Sequence, residues 1–205
     1  MKRLYLTLGM GLLSVSQVFA QYSGQLSTAS TTPEGTSKTG VYAGIYDHAI
    51  GLLGQYRYGV GAYTDIGFKL GVLDLDRGLN DNAGLDFAFD FKYKVMEKSL
   101  RDPFDLSLGG LGEVLVVNDF NIFSVGANAI GSYPVKLHNG RILEPYGRLN
   151  LRFQRVGVSG GHSNTDLEIG LNMGASFELN RTTKAIAELQ FDDPFAFFLG
   201  VDFEL

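Results

Sequence analysis

From residue 39 to its last residue, the chain alternates between apolar and polar side chains at every second position. In the stretch 165–179, "TDLEIGLNMGASFEL", the odd positions from Leu167 onward are apolar and the even positions are polar or small. The stretch 85–95, "LDFAFDFKYKV", repeats the pattern with phenylalanines on one side. Because successive side chains of a strand point to opposite faces, the pattern predicts strands with one apolar and one polar face.

This alternation predicts about ten strands, and no helical periodicity appears between them. The predicted strands span residues 39–47, 49–59, 63–74, 84–96, 104–117, 120–135, 141–156, 165–179, 183–191 and 195–205. Turn signals such as Asn139-Gly140 separate them. Eight strands remain an alternative if the weakest strand, 39–47, does not span a membrane.

The fold class that these strands predict is all-β, a closed antiparallel up-and-down transmembrane β-barrel. No window after Ala20 is apolar over the length of a spanning helix, and only helices and closed barrels satisfy every backbone group inside lipid. The apolar faces carry more large residues than one small core would hold. An even strand number places both termini on the periplasmic side. A soluble periplasmic β-barrel binding protein stays open as an alternative.

The beginning of the chain predicts export followed by a flexible segment. Lys2 and Arg3 precede an apolar run over 4–15, and small residues end at Ala20; this is the pattern of a signal peptide cleaved after Ala20. The segment 21–38, "QYSGQLSTASTTPEGTSK", is rich in Ser, Thr and Gly, which predicts a flexible periplasmic arm. The predicted organisation is therefore signal peptide 1–20, arm 21–38 and barrel 39–205.

Composition narrows the class of partner. The chain has no cysteine, so disulfides and a lipid-modified cysteine are excluded, and its formal net charge of −5 argues against nucleic acid. Aromatic residues are predicted to form two girdles at the membrane interfaces. The periplasmic girdle comprises Tyr58, Tyr63, Tyr93, Phe104, Tyr133, Phe177 and Phe203, and the outer girdle comprises Tyr46, Phe120, Phe153, Phe191 and Phe195.

The polar faces predict a lumen filled by side chains of both charges. By parity, the lumen-lining charged residues are Arg57, Asp65, Lys69, Asp86, Asp90, Lys92, Glu113, Arg148, Arg152, Glu168, Glu188 and Asp202. Buried charges must be paired or hydrated. Because barrels of about eight strands are filled by side chains, ten strands favour a charged interior that stabilises the barrel over a narrow path for water or ions.

The C-terminal strand resembles the assembly signal of bacterial outer-membrane β-barrels. Gly200, Val201, Phe203 and Leu205 match the spacing of a glycine followed by alternating apolar residues, although the last residue is Leu where an aromatic is usual. The resemblance implies insertion into a Gram-negative-type outer membrane, with lipid and the barrel-assembly machinery as partners. The strand is expected to close the barrel by pairing near Val41. Phe198 is expected to point inward and pack on a glycine of a neighbouring strand.

No catalytic motif, cofactor signature or metal-ligand spacing is present, so we expect no enzyme, no cofactor and no metal. The function predicted is a structural or narrow-pore role for ions or small solutes. One alternative is a hydrolase at the outer rim, similar to the omptin outer-membrane proteases, which use Asp and His there. Its residues would be Asp47, His48, His162 and Asp193, which would have to converge to activate a water.

Overall fold

The computed structural model describes residues 23–76, 81–100, 102–118, 120–158, 163–192 and 195–205. Eleven strands form one sheet. The described residues contain no helix, and hence no helix long and apolar enough to cross a membrane. The strands are β1 (Ser37–Tyr46), β2 (Ala49–Gly61), β3 (Thr64–Asp76), β4 (Asp81–Met96), β5 (Asp105–Val117), β6 (Phe120–Ser132), β7 (Val135–Lys136), β8 (Ile142–Val158), β9 (Asn164–Glu178), β10 (Thr183–Gln190) and β11 (Ala196–Glu204).

The sheet closes on itself into an antiparallel, up-and-down barrel of ten long strands. β1 pairs with both β2 and β11, and β6 pairs with β8, so no long strand has a free edge. The two-residue β7 only extends the connection between β6 and β8. Val41 faces Val201 across the seam, which confirms the predicted closure. The ten-strand prediction is confirmed, and the eight-strand alternative is wrong because β1 is paired along its whole length.

Several predicted boundaries are displaced by a few residues. The largest differences are three residues, at β4, which begins at Asp81 where the prediction began at residue 84, and at β6, which ends at Ser132 although the prediction continued to residue 135. Pro134 lacks a backbone N–H and cannot donate to the ladder, so pairing stops there. The chain then forms a turn at 137–140 in which Gly140 has a φ of 82°.

The outward face of the barrel is apolar around its circumference. Phe87 on β4, Leu149 on β8 and Ile169 on β9 expose 49%, 60% and 75% of their surface, and each is followed by an inward residue. Most predicted girdle aromatics, including Tyr63 and Phe153, lie on this face. Tyr46 and Phe120 do not: both are 6% exposed and point into the barrel, so their assignment to the outer girdle is wrong.

The interior has two layers of different chemistry. At the end of the barrel where β1 turns into β2, which we call the outer end, the inward side chains of β1 to β6 and β11 are mostly apolar and form one cluster, whereas β8 and β10 contribute polar residues such as Gln154 and Gln190. Members of the cluster on the wall include Tyr46, Leu53, Leu73, Leu75, Leu115, Val117, Phe120, Ile122, Ala196 and Phe198. Towards the opposite end, where β1 begins and β11 ends and which we call the terminus-bearing end because Leu205 lies there, the inward residues are mostly polar or charged. The sequence predicted the polar layer, but did not predict the apolar one.

Candidate functional site

The polar layer of the lumen contains a piece of the chain itself. Residues 23–32, called the plug segment from here on, lie inside the barrel, and every one of them is buried or half-buried. The prediction of a flexible periplasmic arm is therefore wrong for these residues. Composition indicated too little apolar surface to order the segment. What orders it is hydrogen bonding to inward polar side chains of the barrel, in a space closed off from water.

A tight turn carries the chain from the lumen into β1. Thr36 donates through its N–H to the carbonyl oxygen of Pro33 at 3.1 Å, and Gly35 has a φ of 75°. A positive φ at the third position of a turn favours glycine. Gly59 of β2 lets the chain pass closely, because a Cβ there would overlap the carbonyl oxygen of Pro33. The turn fixes the plug segment to the terminus-bearing end of the barrel.

Lysine side chains of the wall bind the carbonyl groups of the plug segment. Lys69 Nζ donates to the oxygen of Gly24 at 2.6 Å, and Lys92 Nζ donates to the oxygens of Thr28 and Ser30 at 2.7 Å each. Both lysines are buried. Hydrogen bonds to a charged group are stronger than neutral ones, so these contacts hold the backbone in position along the β3–β4 wall.

Carboxylates of the wall accept from the backbone N–H groups of the same segment. Glu188 on β10 accepts from the N–H groups of Gln25 and Leu26, each at 2.7 Å. Gly24 and Leu26 both have positive φ, at 60° and 55°. Successive N–H groups in such a conformation form a concave anion-binding nest. The plug segment thus presents a nest to a carboxylate on the opposite wall from its lysines.

Glu188 is a centre of hydrogen bonding in the lumen. Besides the two N–H groups, its carboxylate accepts from Asn172 Nδ2 at 2.7 Å and from the Tyr146 hydroxyl. The side chain is 1% exposed. Four donors converge on one buried charge, and this compensates for the loss of water around it.

A charge network on β2, β3 and β4 supports the end of the plug segment nearest the turn. Arg57 donates to Asp65 and to Asp90, each at 2.7 Å, and Lys92 Nζ lies 3.6 Å from Asp65. Asp65 also accepts from the N–H of Thr32 at 2.7 Å. Gly67 gives the Arg57 guanidinium room, because a Cβ there would lie 2.6 Å from Nη1. The network joins wall and plug segment in one set of ion pairs.

The predicted lumen-lining residues divide according to burial. All of them are buried except Glu168, which is half-buried and faces Arg152 in the β8–β9 register. Arg152 forms its ion pair with Asp192, at 2.8 Å. Asp192 directly follows β10, and its side chain is 1% exposed. Its carboxylate bends back into the lumen and closes the network there.

Sequence reasoning missed several polar residues that face the lumen. They are Tyr42, Gln55, Asp105, Ser107, Ser124, Asn128, Ser132, Glu144, Tyr146, Asn150, Gln154, Asn172 and Gln190. Parity alone would have placed most of them. For the position of the plug segment, the sequence contains only a weak indication: its side chains are mostly small Ser, Thr and Ala, which suit a narrow lumen. The buried Asp105 accepts from the N–H of Lys98 at 2.6 Å and so fixes the β4–β5 connection.

The residues of the terminal motif lie at the seam. Phe203 and Leu205 face outward, while Gly200 lies opposite Tyr42, whose ring a Cβ at Gly200 would overlap. Phe198 is fully buried, faces Gly44 in the register, and would lie 3.1 Å from a Cβ added there. The inward packing predicted for Phe198 on a glycine is confirmed. Recognition of the motif by assembly machinery stays a prediction.

The rim residues of the hydrolase alternative are seen only in part. Asp47 and His48 are exposed in the turn between β1 and β2. His162 and Asp193 lie outside the described residues. Within the described ranges, no group of three or more His, Cys, Asp or Glu residues is arranged to hold a metal ion.

A cavity of about 360 Å³ opens at the terminus-bearing end, below the plug segment. Its lining includes Lys38, Arg57, Glu144, Lys184 and Glu204. Glu204 lies 3.0 Å from Lys184 and 4.0 Å from Lys38. The cavity is therefore a polar mouth that ends against the plug segment.

The barrel is similar in architecture to solved outer-membrane barrels. The β-domain of the Bordetella autotransporter BrkA superposes with a TM-score of 0.51 at 12% identity, covering 82% of this chain and 98% of that domain. The fold is that of a small outer-membrane β-barrel. The KdgM porin matches at a TM-score of 0.42 and 8% identity, covering 82% and 99% of the two chains. No family model and no curated protein sequence matches this chain.

Proposed function

We propose that the protein is an integral outer-membrane barrel with a structural role, closed to solutes in its resting state. The observation that carries this proposal is the doubly filled lumen. The plug segment occupies the polar layer, and the apolar cluster that includes Leu53, Leu115 and Phe198 occupies the outer layer. Both layers lie in series between the two mouths. A solute would have to displace one and then cross the other.

The membrane setting is supported by the outward face. Large apolar side chains exposed over so much of a barrel are not compatible with a monomer in water, but they match the lipid-facing band of a transmembrane barrel. The soluble binding-protein alternative conflicts with this face. The predicted signal peptide and the fold support an outer-membrane location with the end of β11 on the periplasmic side. Lipid and the assembly machinery are then the partners, and the proposal requires no enzymatic activity.

A narrow pore is the second candidate, and the polar mouth of about 360 Å³ favours it. The size of the barrel argues for the closed state. Eight strands enclose an interior that side chains fill, and larger barrels leave space. Ten strands leave slightly more room than side chains fill, and in this barrel the plug segment occupies that room.

Two measurements on the purified full chain test the proposal. In detergent, an unheated sample is expected to migrate faster on a gel than a boiled one, as a compact barrel does. In planar lipid bilayers, it is expected to insert without steady conductance. A soluble protein without a mobility shift would contradict the membrane claim, and reproducible single-channel steps from the unmodified chain would contradict the closed state.

A further inference from the structure

Two glycines lie side by side on the outward face near the terminus-bearing end of the barrel. Gly131 of β6 and Gly147 of β8 are opposite each other in the register. Their chain neighbours Ser132 and Arg148 point inward and are buried, so both glycines belong to the face that we assign to lipid. They form the floor of a shallow depression of about 350 Å³.

The packing of the barrel does not require glycine at these two positions. Within 4 Å, a Cβ added at Gly131 would meet only the Phe104 ring, and a Cβ added at Gly147 would meet only the carbonyl oxygen of Asn172, both at ordinary contact distances of 3.8 Å. Glycine inside a strand weakens it and often marks a place where another molecule approaches closely. The depression is therefore better explained by a ligand than by the fold.

Aromatic side chains form the walls of this depression. Phe104, Tyr133 and Pro145 line it, and the two aromatic residues are 38% and 47% exposed. Both belong to the girdle predicted for the periplasmic interface. Such girdles lie where acyl chains meet headgroups. The depression is thus at the depth at which a lipid has its phosphate on one side and its acyl chains on the other.

A lysine ammonium is held beside the depression. Lys98 Nζ lies 3.5 Å from the centroid of the Tyr133 ring and donates to the carbonyl oxygen of Pro134 at 2.8 Å. The cation–π contact and the hydrogen bond together fix the position of the charge. An ammonium has three donors, so a further N–H can be directed at an acceptor from the bilayer.

The rim next to Lys98 has further positive charge. The connection from β6 to β8, residues 133–141, contains the exposed cations Lys136 and Arg141 and no carboxylate. On the other side of Lys98, the Glu97 carboxylate is paired with Lys94 at 3.1 Å. An apolar depression that ends at a group of cations is complementary to a lipid with an anionic headgroup.

We infer that this depression binds one anionic phospholipid of the periplasmic leaflet, with an acyl chain over Gly131 and Gly147 and the phosphate at Lys98. This rests on the proposed membrane setting, in which the terminus-bearing end faces the periplasm. The glycines accept the chain of any phospholipid, whereas the cations select the headgroup. A cation near the membrane surface favours an anionic lipid by about fivefold in affinity.

The test follows the unfolding temperature of the delipidated full chain in nonionic detergent, as the disappearance of the fast-migrating band, while lipid is added. Phosphatidylglycerol is expected to raise this temperature and to saturate at concentrations lower by about fivefold or more than phosphatidylcholine. In Lys98→Gln, about fivefold more phosphatidylglycerol should be needed for the same rise. Gly131→Leu fills the depression and should remove the saturable rise with either lipid.

Gly112→Leu is the matched control. Gly112 lies on the outward face of β5, and a Cβ there would meet only the Ser124 carbonyl oxygen, at 4.0 Å, so the leucine is accommodated far from the rim cations. This variant should respond to phosphatidylglycerol as the unmodified chain does. The same response in Gly131→Leu, or equal potency of the two lipids on the unmodified chain, would overturn the inference.

A purely structural role of Lys98 gives a different result. If Lys98 serves only to bind the Pro134 carbonyl group, Lys98→Gln lowers the unfolding temperature without lipid but leaves the concentration dependence on phosphatidylglycerol unchanged, which would contradict the headgroup contact. A chain without any mobility shift on heating would contradict the membrane setting instead. Failure of the lipid site and failure of the proposed function are therefore distinguishable.

Discussion

At the scale of single residues, the glycines of the inner face are spacers for large inward side chains. Gly44 is the clearest case, because a Cβ there would lie 3.1 Å from the Phe198 ring and 3.0 Å from the Tyr46 ring. Phe198 and Tyr46 pack edge to face at 5.5 Å. The apolar layer therefore depends on the absence of a side chain at one position of β1.

We expect Gly44→Val to destabilise the barrel by about 1–3 kcal/mol, the usual effect of overpacking a core. Ala43→Val is the matched control, since Ala43 is the neighbouring residue and is exposed on the outward face. The measurement is the temperature at which the fast-migrating band disappears. Equal temperatures for the two variants would contradict the packing assigned to Gly44.

Glu188 gives a second residue-scale prediction. In Glu188→Gln, an amide replaces a carboxylate that accepts from Gln25, Leu26, Asn172 and Tyr146. The amide NH₂ group would face donors. We therefore expect the free energy that holds the plug segment in the lumen to fall by about 2–4 kcal/mol, on the scale of charged hydrogen bonds. Limited proteolysis should then cut within residues 23–32. Glu97→Gln, at an exposed carboxylate, should stay protected; cleavage at equal rates in both would rule out this role.

At the scale of elements, the plug segment fills the lumen without pairing to any strand. Its backbone groups bond to side chains of the wall, and Leu26 alone joins the apolar cluster. Removing residues 23–32 leaves Lys69, Lys92 and Glu188 without these partners in a closed space. The segment and the wall are therefore complementary parts of one interior.

Deletion of residues 23–32 is expected to lower the unfolding temperature, because buried charges lose partners. The synthetic peptide SGQLSTASTT should restore it in a concentration-dependent way. The same peptide with Ser in place of Leu26 is the control and should restore little. A deletion variant as stable as the intact chain would show that the segment contributes nothing to the fold.

The strands could be predicted from sequence, whereas the content of the lumen could not. Alternation such as that of 165–179 determines the face of each residue, and it placed Arg57, Lys92 and Glu188 inward. It gives no information on residues 23–32, whose order comes from partners far along the chain, as with Gln25 and Glu188. The inward orientation of Tyr46 and Phe120 also escaped prediction, because aromatic content was given more weight than parity.

At the scale of the whole molecule, apolar side chains occupy two places. They cover the outward face of the barrel, where lipid requires them, and they form the cluster in the outer half of the lumen, where they pack as a protein core does. Leu149 lies on the outward face of β8, 60% exposed, between the inward residues Arg148 and Asn150. One residue of register thus separates lipid contact from the charged interior. A slip by one position would place Arg148 in the membrane.

We expect Leu149→Arg to reduce the folded fraction in lipid vesicles, by about 2–4 kcal/mol if the site is near the bilayer midplane. His48→Arg serves as control, because His48 is exposed in the β1–β2 turn and should be tolerated. The measurement is folding yield by the gel shift after refolding into vesicles. Equal yields for the two variants would be inconsistent with lipid contact at Leu149.

The turn at residues 33–36 links the plug segment directly to β1, and β1 pairs with β11 to close the seam. Until that seam forms, the inward charges of β2, β3 and β4 have water as their partner. Joining β1 to β11 encloses the space that the plug segment fills. The pairing that closes the barrel therefore also encloses its charged interior, and it joins the first strand of the barrel to the last.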